Sequence, residues 1–353
     1  MSSWSFVLTE LIDGRQLPPS EIRWAMEQMM SGQATSAQIA AFVVALRARG
    51  ESPADVAALI DVMLEHSEPA EISGDTVDTC GTGGDGAHTV NISTMAAIVV
   101  AACGVKVVKH GNRAASSKCG SADVLAQLGI RLDITPAQAV EIANQCGITF
   151  LFAQAFHPAL RFVGPARKEI GIPTVFNILG PLANPARPSA QVVGVANAAM
   201  APMMAEVLRT RGTRALVVRG HDGLDELSIA TTSTIWSVLG DDIVELIFNP
   251  RDLGISIPTA DALAGGDSAF NAEVANELFA GNVSGKYEHI RNAVCLNAAA
   301  ALVAAQAVKD PHLDVRKELA SKFSLAIAAI ENGDASRKLQ QWIAAMPPIA
   351  KPI

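Results

Sequence analysis

Surplus positive charge, paired cysteines and long apolar runs are all missing from this chain of 353 residues, and each absence closes off a class of function. Lys and Arg number 27 against 35 Asp and Glu, a formal net charge of −8, so general affinity for nucleic acid is not expected. The five cysteines (Cys80, Cys103, Cys119, Cys146 and Cys295) are odd in number, scattered and without any Cys-x-x-Cys spacing. That pattern fits reduced thiols in a cytoplasmic protein and argues against a zinc site. Half of the residues are apolar, yet no stretch approaches the ~20 residues a bilayer-crossing helix needs, so no membrane role is expected. Met1 to Phe6 carries no basic stretch ahead of an apolar one, so no export signal is expected there.

What the chain does contain is glycine concentrated in one place. Asp78 to Thr94 reads Asp-Thr-Cys-Gly-Thr-Gly-Gly-Asp-Gly-Ala-His-Thr-Val-Asn-Ile-Ser-Thr, with Gly81, Gly83, Gly84 and Gly86 inside six residues. Such a loop can take positive φ and approach a ligand closely. Val77 ends a short strand before it, and Asn91 is a suitable N-cap for an apolar helix through Met95, Ile98, Val99 and Ala102. Strand, glycine loop and helix N-terminus in that order form an anion cradle, because free N–H groups and the helix dipole both favour phosphate. Gly81, Gly83 and Gly86 also satisfy Gly-x-Gly-x-x-Gly, but the next strand, Val105 to Val108, carries Lys106 and ends at Lys109. A dinucleotide fold wants an acid there, so the cation argues for phosphate and against NAD. No Gly-Lys-Ser/Thr closes the loop, which excludes a P-loop.

Taken in order, residues 1–72 read as helices only. Thr35 with Gln38 forms a capping box ahead of Ile39, Phe42, Val43 and Leu46. Ser52, Pro53 and Asp55 start a second helix through Val56, Leu59, Ile60 and Met63, and Gly14, Gly32 and Gly50 act as stops. From 73 to 353 short β-branched runs alternate with helices, the pattern of an α/β domain with a mainly parallel central sheet covered by helices. Strands are expected at Val77–Thr79, Val105–Lys109, Ile148–Phe152, Gln191–Ala196 and Ala215–Arg219, and a strand pair near 229–248. Thr135, Pro136 and Gln138 cap a helix that stops at Gly147. Residues 157–188 read as irregular, rich in Pro and Gly, and are expected to cross between the small all-helical domain and the larger one. Ala-rich helices are expected near 286–307 and 313–331, with faces suited to a core.

Three further segments carry chemistry. Lys109 is followed by His-Gly-Asn-Arg-Ala-Ala-Ser-Ser-Lys-Cys-Gly, entering a helix near Ser121. Ligands of open α/β sheets bind at the carboxyl ends of strands, so this loop should lie beside the glycine loop. Lys109 supplies a point charge, Ser116, Ser117 and backbone amides supply directional donors, and Lys106, Arg113 and Lys118 add to a local basic region. After Arg219 comes Gly-His-Asp222-Gly-Leu-Asp225-Glu226-Leu-Ser, whose acids suit Mg²⁺ bridged to phosphates. Arg167, in the crossing segment, can grip a planar carboxylate in bidentate fashion.

With these segments in order, the chain resembles the anthranilate phosphoribosyltransferase family. The resemblance rests on Gly81-Thr-Gly-Gly-Asp85, Asn91-Ile-Ser-Thr94, Lys109-His-Gly-Asn-Arg-Ala-Ala-Ser-Ser117, Gly180-Pro-Leu-Ala-Asn-Pro185 and Asp222-Gly-Leu-Asp-Glu-Leu-Ser228, and extends over the whole length. His88 and Val90 depart from the family's pattern at positions flanking the cradle. The family implies transfer of the phosphoribosyl group of phosphoribosyl pyrophosphate (PRPP) to the amine of anthranilate, in tryptophan biosynthesis, by a cytoplasmic homodimer whose closing domains exclude water. It implies PRPP bound by Gly81, Gly84, Asp85, Thr89, Asn91, Ile92, Ser93, Thr94, Lys109, His110, Gly111, Asn112, Arg113, Ala114, Ala115, Ser116, Ser117 and Ser121. It implies anthranilate near Gly81, Asn112 and Arg167, with His110 and Pro181 lining its path, and part of 165–190 packing on the small helical domain. Two Mg²⁺ ions are implied at Ser93, Asp225 and Glu226. No strong general base is evident, and Lys109 is the electrostatic candidate. A pyrimidine nucleoside phosphorylase resembles this fold too, but would have no need of the Asp-Glu pair.

Overall fold

A computed structural model describes residues 2–114, 118–259, 261–306 and 313–348. Ala115, Ser116 and Ser117 lie outside the described residues. The chain forms two compact units, residues 1–69 with 153–187, and residues 70–152 with 188–353.

The first unit begins with α1 (Trp4–Ile12), α2 (Pro19–Met30), α3 (Ser36–Arg49) and α4 (Pro53–Glu65). Thr35 with Gln38, and Ser52 with Asp55, form reciprocal capping boxes at the starts of α3 and α4. Gly50 stops α3 at φ 92°, a value that a β-carbon would strain. Leu11, Ile22, Met26, Phe42, Leu46 and Leu59 fill the unit's core.

The second unit opens with β1 (Val77–Gly81), α5 (Ile92–Ala102), β2 (Val107–Gly111), α6 (Ser121–Gln127), α7 (Pro136–Cys146) and β3 (Ile148–Phe152). The chain then returns to the helical unit with α8 (Ala153–Phe156), α9 (Gly164–Ile170) and α10 (Phe176–Leu182). The segment expected to be irregular therefore holds short helices, cut to these lengths by Pro158, Pro165 and Gly171. The second unit resumes with β4 (Ala190–Gly194), α11 (Ala201–Thr210), β5 (Arg214–Gly220), β6 (Ser233–Val238) and β7 (Val244–Phe248). It ends in α12 (Ser268–Phe279), α13 (Lys286–Gln306), α14 (Val315–Glu331) and α15 (Asp334–Ala344).

Its seven-stranded sheet runs β3-β2-β1-β4-β5-β6-β7. The first five strands are parallel, and β6 and β7 add an antiparallel edge. The apolar face of α5 packs on the Ala-rich α13, which also covers β1, β4 and β5. The strand order reverses beside β1, so the carboxyl ends of β1 and β4 border the crevice where open α/β sheets hold ligands. Lys106 lies outside this crevice. It precedes β2, at the far end from the crevice, and its ammonium donates to Ser73 O at 2.9 Å and Asn144 Oδ1 at 3.3 Å.

Candidate functional site

The carboxyl ends of β1, β2 and β5 carry the three turns that the sequence singled out. Gly81 and Gly194 face one another as the last registered pair of β1 and β4. Asp225, from the turn after β5, lies across both. A β-carbon on Gly81 would stand 2.2 Å from Asp225 Oδ2, and one on Gly194 would stand 1.4 Å from Asp225 O. These two positions are glycine because a carboxylate and a carbonyl occupy the space. Gly83, Gly84 and Gly86 are glycine for another reason, with φ of 65°, 80° and 72°. The Gly83 N–H donates to Asp225 Oδ2 at 2.7 Å, which ties the glycine loop to the acidic turn.

Carboxylate oxygens of Asp85, Asp225 and Glu226 lie within 4.8 Å of one another. Burial and the nearby Asp85 charge push Asp225 up to about 6, against the opposing Gly83 N–H bond. Glu226 is raised well above the usual carboxylate range by burial, then by Asp225 and Asp85. Glu226 Oε2 is buried with no hydrogen-bond partner among the described residues. Three crowded acids with an unsatisfied oxygen constitute a donor set for a hard divalent cation, so the residues present fit Mg²⁺. Asp222, expected to join this group, instead accepts Ser228 Oγ–H at 2.5 Å and shapes its own turn. Asp85, expected only on the phosphate side, takes its place.

Lys109 lies beneath the cluster and is 2% exposed. Its ammonium donates to Thr79 O and to Ser93 Oγ at 3.3 Å, and burial lowers its pKa against the pull of Asp78. Its charge therefore reaches the cradle through Ser93, at the start of α5. Thr79 Oγ1 binds Ser93 O at 3.0 Å, so β1 and α5 are joined at the same point. Ile92 and Thr94 are buried beside Ser93, and His110 is buried on β2, its backbone N–H donating to Asp78 Oδ1 at 3.2 Å.

Gly111 ends β2, and Asn112, Arg113 and Ala114 leave it to form the second loop. Asp123 holds the neck of that loop, accepting Ala114 N–H and Gly120 N–H, each at 3.0 Å, and Arg113 Nη1 at 2.8 Å. Ser121 Oγ donates to Asn112 O at 3.3 Å. Gly84 and Thr89 line the first loop, and Thr89 forms an antiparallel bridge with Ala264. Asn91 occupies the N-cap position of α5 but makes no capping bond. Its side chain is engaged elsewhere, donating from Nδ2 to Cys119 O at 3.2 Å and accepting Asn271 Nδ2 at 2.9 Å.

Arg167 belongs to the helical unit. Its guanidinium stands 5.1 Å from the Phe176 ring centroid, burial lowers its pKa, and no acid lies within ion-pair distance among the described residues. Pro181 sits inside α10 of that unit.

Asp123, Asn271 and Asn297 support the site and were not singled out from sequence. Asn297, on α13, binds Leu227 N–H at 2.9 Å and Leu227 O at 3.1 Å, fixing the backbone next to Glu226. An acid three residues into a helix after Gly120 was a readable sign for Asp123. An Asn inside an Ala-rich core helix was one for Asn297.

Comparison with known proteins bears directly on this geometry. Residues 7–67 match the glycosyl transferase family helical bundle domain, and residues 73–336 match the glycosyl transferase family a/b domain. An anthranilate phosphoribosyltransferase of Streptomyces griseus is 52% identical over 344 residues, covering 97% of this chain and 95% of that protein. The crystal structure of the Thermus thermophilus enzyme of that name superposes with TM-score 0.87 at 38% identity, covering 96% of this chain and 98% of the other. The Saccharomyces cerevisiae enzyme in complex with PRPP and Mg gives TM-score 0.87 at 27% identity, with 97% of each chain covered. Such likeness runs through both units and nearly the full length, and the chain belongs to the anthranilate phosphoribosyltransferase family.

Proposed function

We propose that this chain transfers the 5-phosphoribosyl group of PRPP to the amine of anthranilate, giving N-(5-phosphoribosyl)anthranilate and pyrophosphate, the second step of tryptophan biosynthesis from chorismate. The observation that carries the reading is the cluster of Asp85, Asp225 and Glu226 hydrogen-bonded to the glycine loop through Gly83. Asp85, Asp225 and Glu226, with Ser93 nearby, would hold Mg²⁺, which supplies positive charge where the leaving diphosphate becomes more negative. The backbone amides of the glycine loop and the N-terminus of α5 bind the same oxyanions and need no reorganisation as charge develops. Lys109 keeps Ser93 in place and holds a positive charge behind it. The ribose carbon becomes cation-like as its bond to the diphosphate breaks, so the protein's main task is to hold the amine close and in line. An aromatic amine loses its proton readily once bonded to carbon, which removes the need for a strong base.

Arg167 is proposed to bind the anthranilate carboxylate, with Gly81 and Asn112 beside the same substrate. Gly81, Gly84, Asp85, Thr89, Asn91 to Thr94, Lys109 to Ser117 and Ser121 are proposed to line the PRPP site. Two Mg²⁺ ions per chain, a homodimeric assembly and a cytoplasmic location complete the reading. The scattered cysteines, without any Cys-x-x-Cys spacing, and the family resemblance support it, and no described helix is long and apolar enough to cross a membrane.

Anthranilate fluorescence tests the proposal. Its signal should fall on addition of the protein only when PRPP and Mg²⁺ are both present. Turnover of thymidine with inorganic phosphate, without consumption of anthranilate, would overturn it in favour of a nucleoside phosphorylase.

A further inference from the structure

Asn271 lies far along the chain from the loops of the proposed reaction, on α12, yet its buried carboxamide connects them. It is 2% exposed. Its Oδ1 accepts the Gly266 N–H at 2.8 Å, which turns Nδ2 the other way, donating to Asn91 Oδ1 at 2.9 Å. Asn91 Nδ2 in turn donates to Cys119 O at 3.2 Å. The three bonds run in one direction. Flipping either amide would set donor against donor or acceptor against acceptor in a buried place. Asn91 stands at the exit of the glycine loop, and Cys119 stands at the neck of the second loop, next to Gly120.

The backbone around this relay is docked as well. Val90 N–H donates to Leu263 O and Gly265 N–H to His88 O, both at 2.9 Å. A β-carbon on Gly265 would meet Thr89 O at 2.5 Å, so the segment before α12 lies directly on the end of the cradle.

We propose that Asn271 is a positioning residue for PRPP. It sets the orientation of the Asn91 amide and thereby fixes the spacing of the two loops that share one substrate. Asn91 then acts by tying loops together, as its side chain is spent on Asn271 and Cys119. The assignment rests on the phosphoribosyl-transfer reading above. Loops held at the correct separation before binding have less order to acquire when PRPP arrives, and the gain appears as affinity.

The test compares Asn271→Asp and Asn271→Ala with the parent chain. The Asp variant keeps the acceptor for Gly266 but opposes Asn91 Oδ1 with a second acceptor, and the Ala variant removes both bonds. PRPP binding is measured by calorimetric titration in Mg²⁺, with kcat and both KM values alongside. Both variants should weaken PRPP about ten-fold or more, the order expected for losing a buried hydrogen bond. KM for anthranilate should stay within about two-fold, and in an Asn91→Ala background the Asn271 substitution should add less than about two-fold. PRPP affinity equal to the parent's, an undiminished effect in the Asn91→Ala background, or an equal rise in both KM values would overturn the assignment. If Asn271→Asp does not fold, the Ala variant and its cycle with Asn91→Ala decide. A parent chain that binds no PRPP overturns the functional reading and this inference together, whereas unaltered variants of a binding parent overturn only the inference.

Discussion

Gly81 and Asp225 occupy one another's space, a β-carbon on the first falling 2.2 Å from Oδ2 of the second. The end of β1 is thus shaped by an acid that arrives from the turn after β5. In Gly81→Ala the carboxylate must rotate away from Gly83, so the acidic cluster is lost while the strand survives. We expect kcat/KM to fall by about 100-fold, the order seen when a reacting group is misplaced by an ångström. Unfolding free energy should fall by only ~1–3 kcal/mol. Gly194→Ala meets the Asp225 backbone at 1.4 Å and cannot be relieved by a rotamer, so it should destabilise the chain more. Urea unfolding and steady-state assays of the two variants check this order, and equal damage to stability would refute it.

Mg²⁺ should stabilise the protein through the same cluster. At a hundred times its Kd a cation bound only by the folded state adds about 2.7 kcal/mol. Asp225→Asn with Glu226→Gln should lose that increment along with most activity. Without metal, the double variant should melt above the parent at neutral pH, because burial and mutual repulsion oppose both charges. Melting curves with and without Mg²⁺ measure both effects, and a Mg²⁺-dependent rise retained by the double variant would sink the metal assignment.

The parts of this site that depend on local chemistry were legible in the sequence. Buried β-branched runs marked β1, β3 and β5, and clustered glycines marked the first loop. Partners distant in sequence were not legible. Asn91 reads as a cap from its neighbours, but Asn271, on α12, claims its side chain. Asp222 looks like a third ligand because it lies close to Asp225 in sequence, but its carboxylate is engaged by Ser228 within its own turn while Asp85 arrives from another strand end. Lys106 and Lys109 are three residues apart and seem one basic patch. The first precedes β2 and the second lies within it, so their ammonium groups reach different ends of the sheet. Spacing along a chain encodes the geometry of a turn or a strand, whereas these assignments depend on which strand ends the fold brings together.

His157 should make the helical unit sensitive to mild acid. Burial lowers its pKa from 6.5 to about 4, and its Nε2 lies 2.9 Å from Ala183 O. The unfolded chain therefore binds the extra proton between these two values. The residue's contribution to stability is complete above the upper value and is lost as pH falls toward the lower, at about 1.4 kcal/mol per pH unit. His157→Gln should show a shallower decline across that range. Urea titrations of both proteins at several pH values measure the difference in slope, and parallel declines would refute the role of His157.

Arg167→Ala should separate the two substrates. Arg167 stands over the Phe176 ring, burial lowers its pKa, and no acid lies within ion-pair distance among the described residues, so its charge is uncompensated within its own unit. Desolvated arginine without a protein carboxylate is suited to receive one from a ligand, in the planar two-bond geometry that lysine cannot reproduce. The substitution should raise KM for anthranilate by about 100-fold, within the range for losing a charge-assisted pair, and change KM for PRPP by less than about three-fold. Arg167→Lys should recover only part of the loss, because a single ammonium replaces the fork. Steady-state kinetics with each substrate varied at saturation of the other make the comparison, and an equal rise in both constants would remove Arg167 from the anthranilate site.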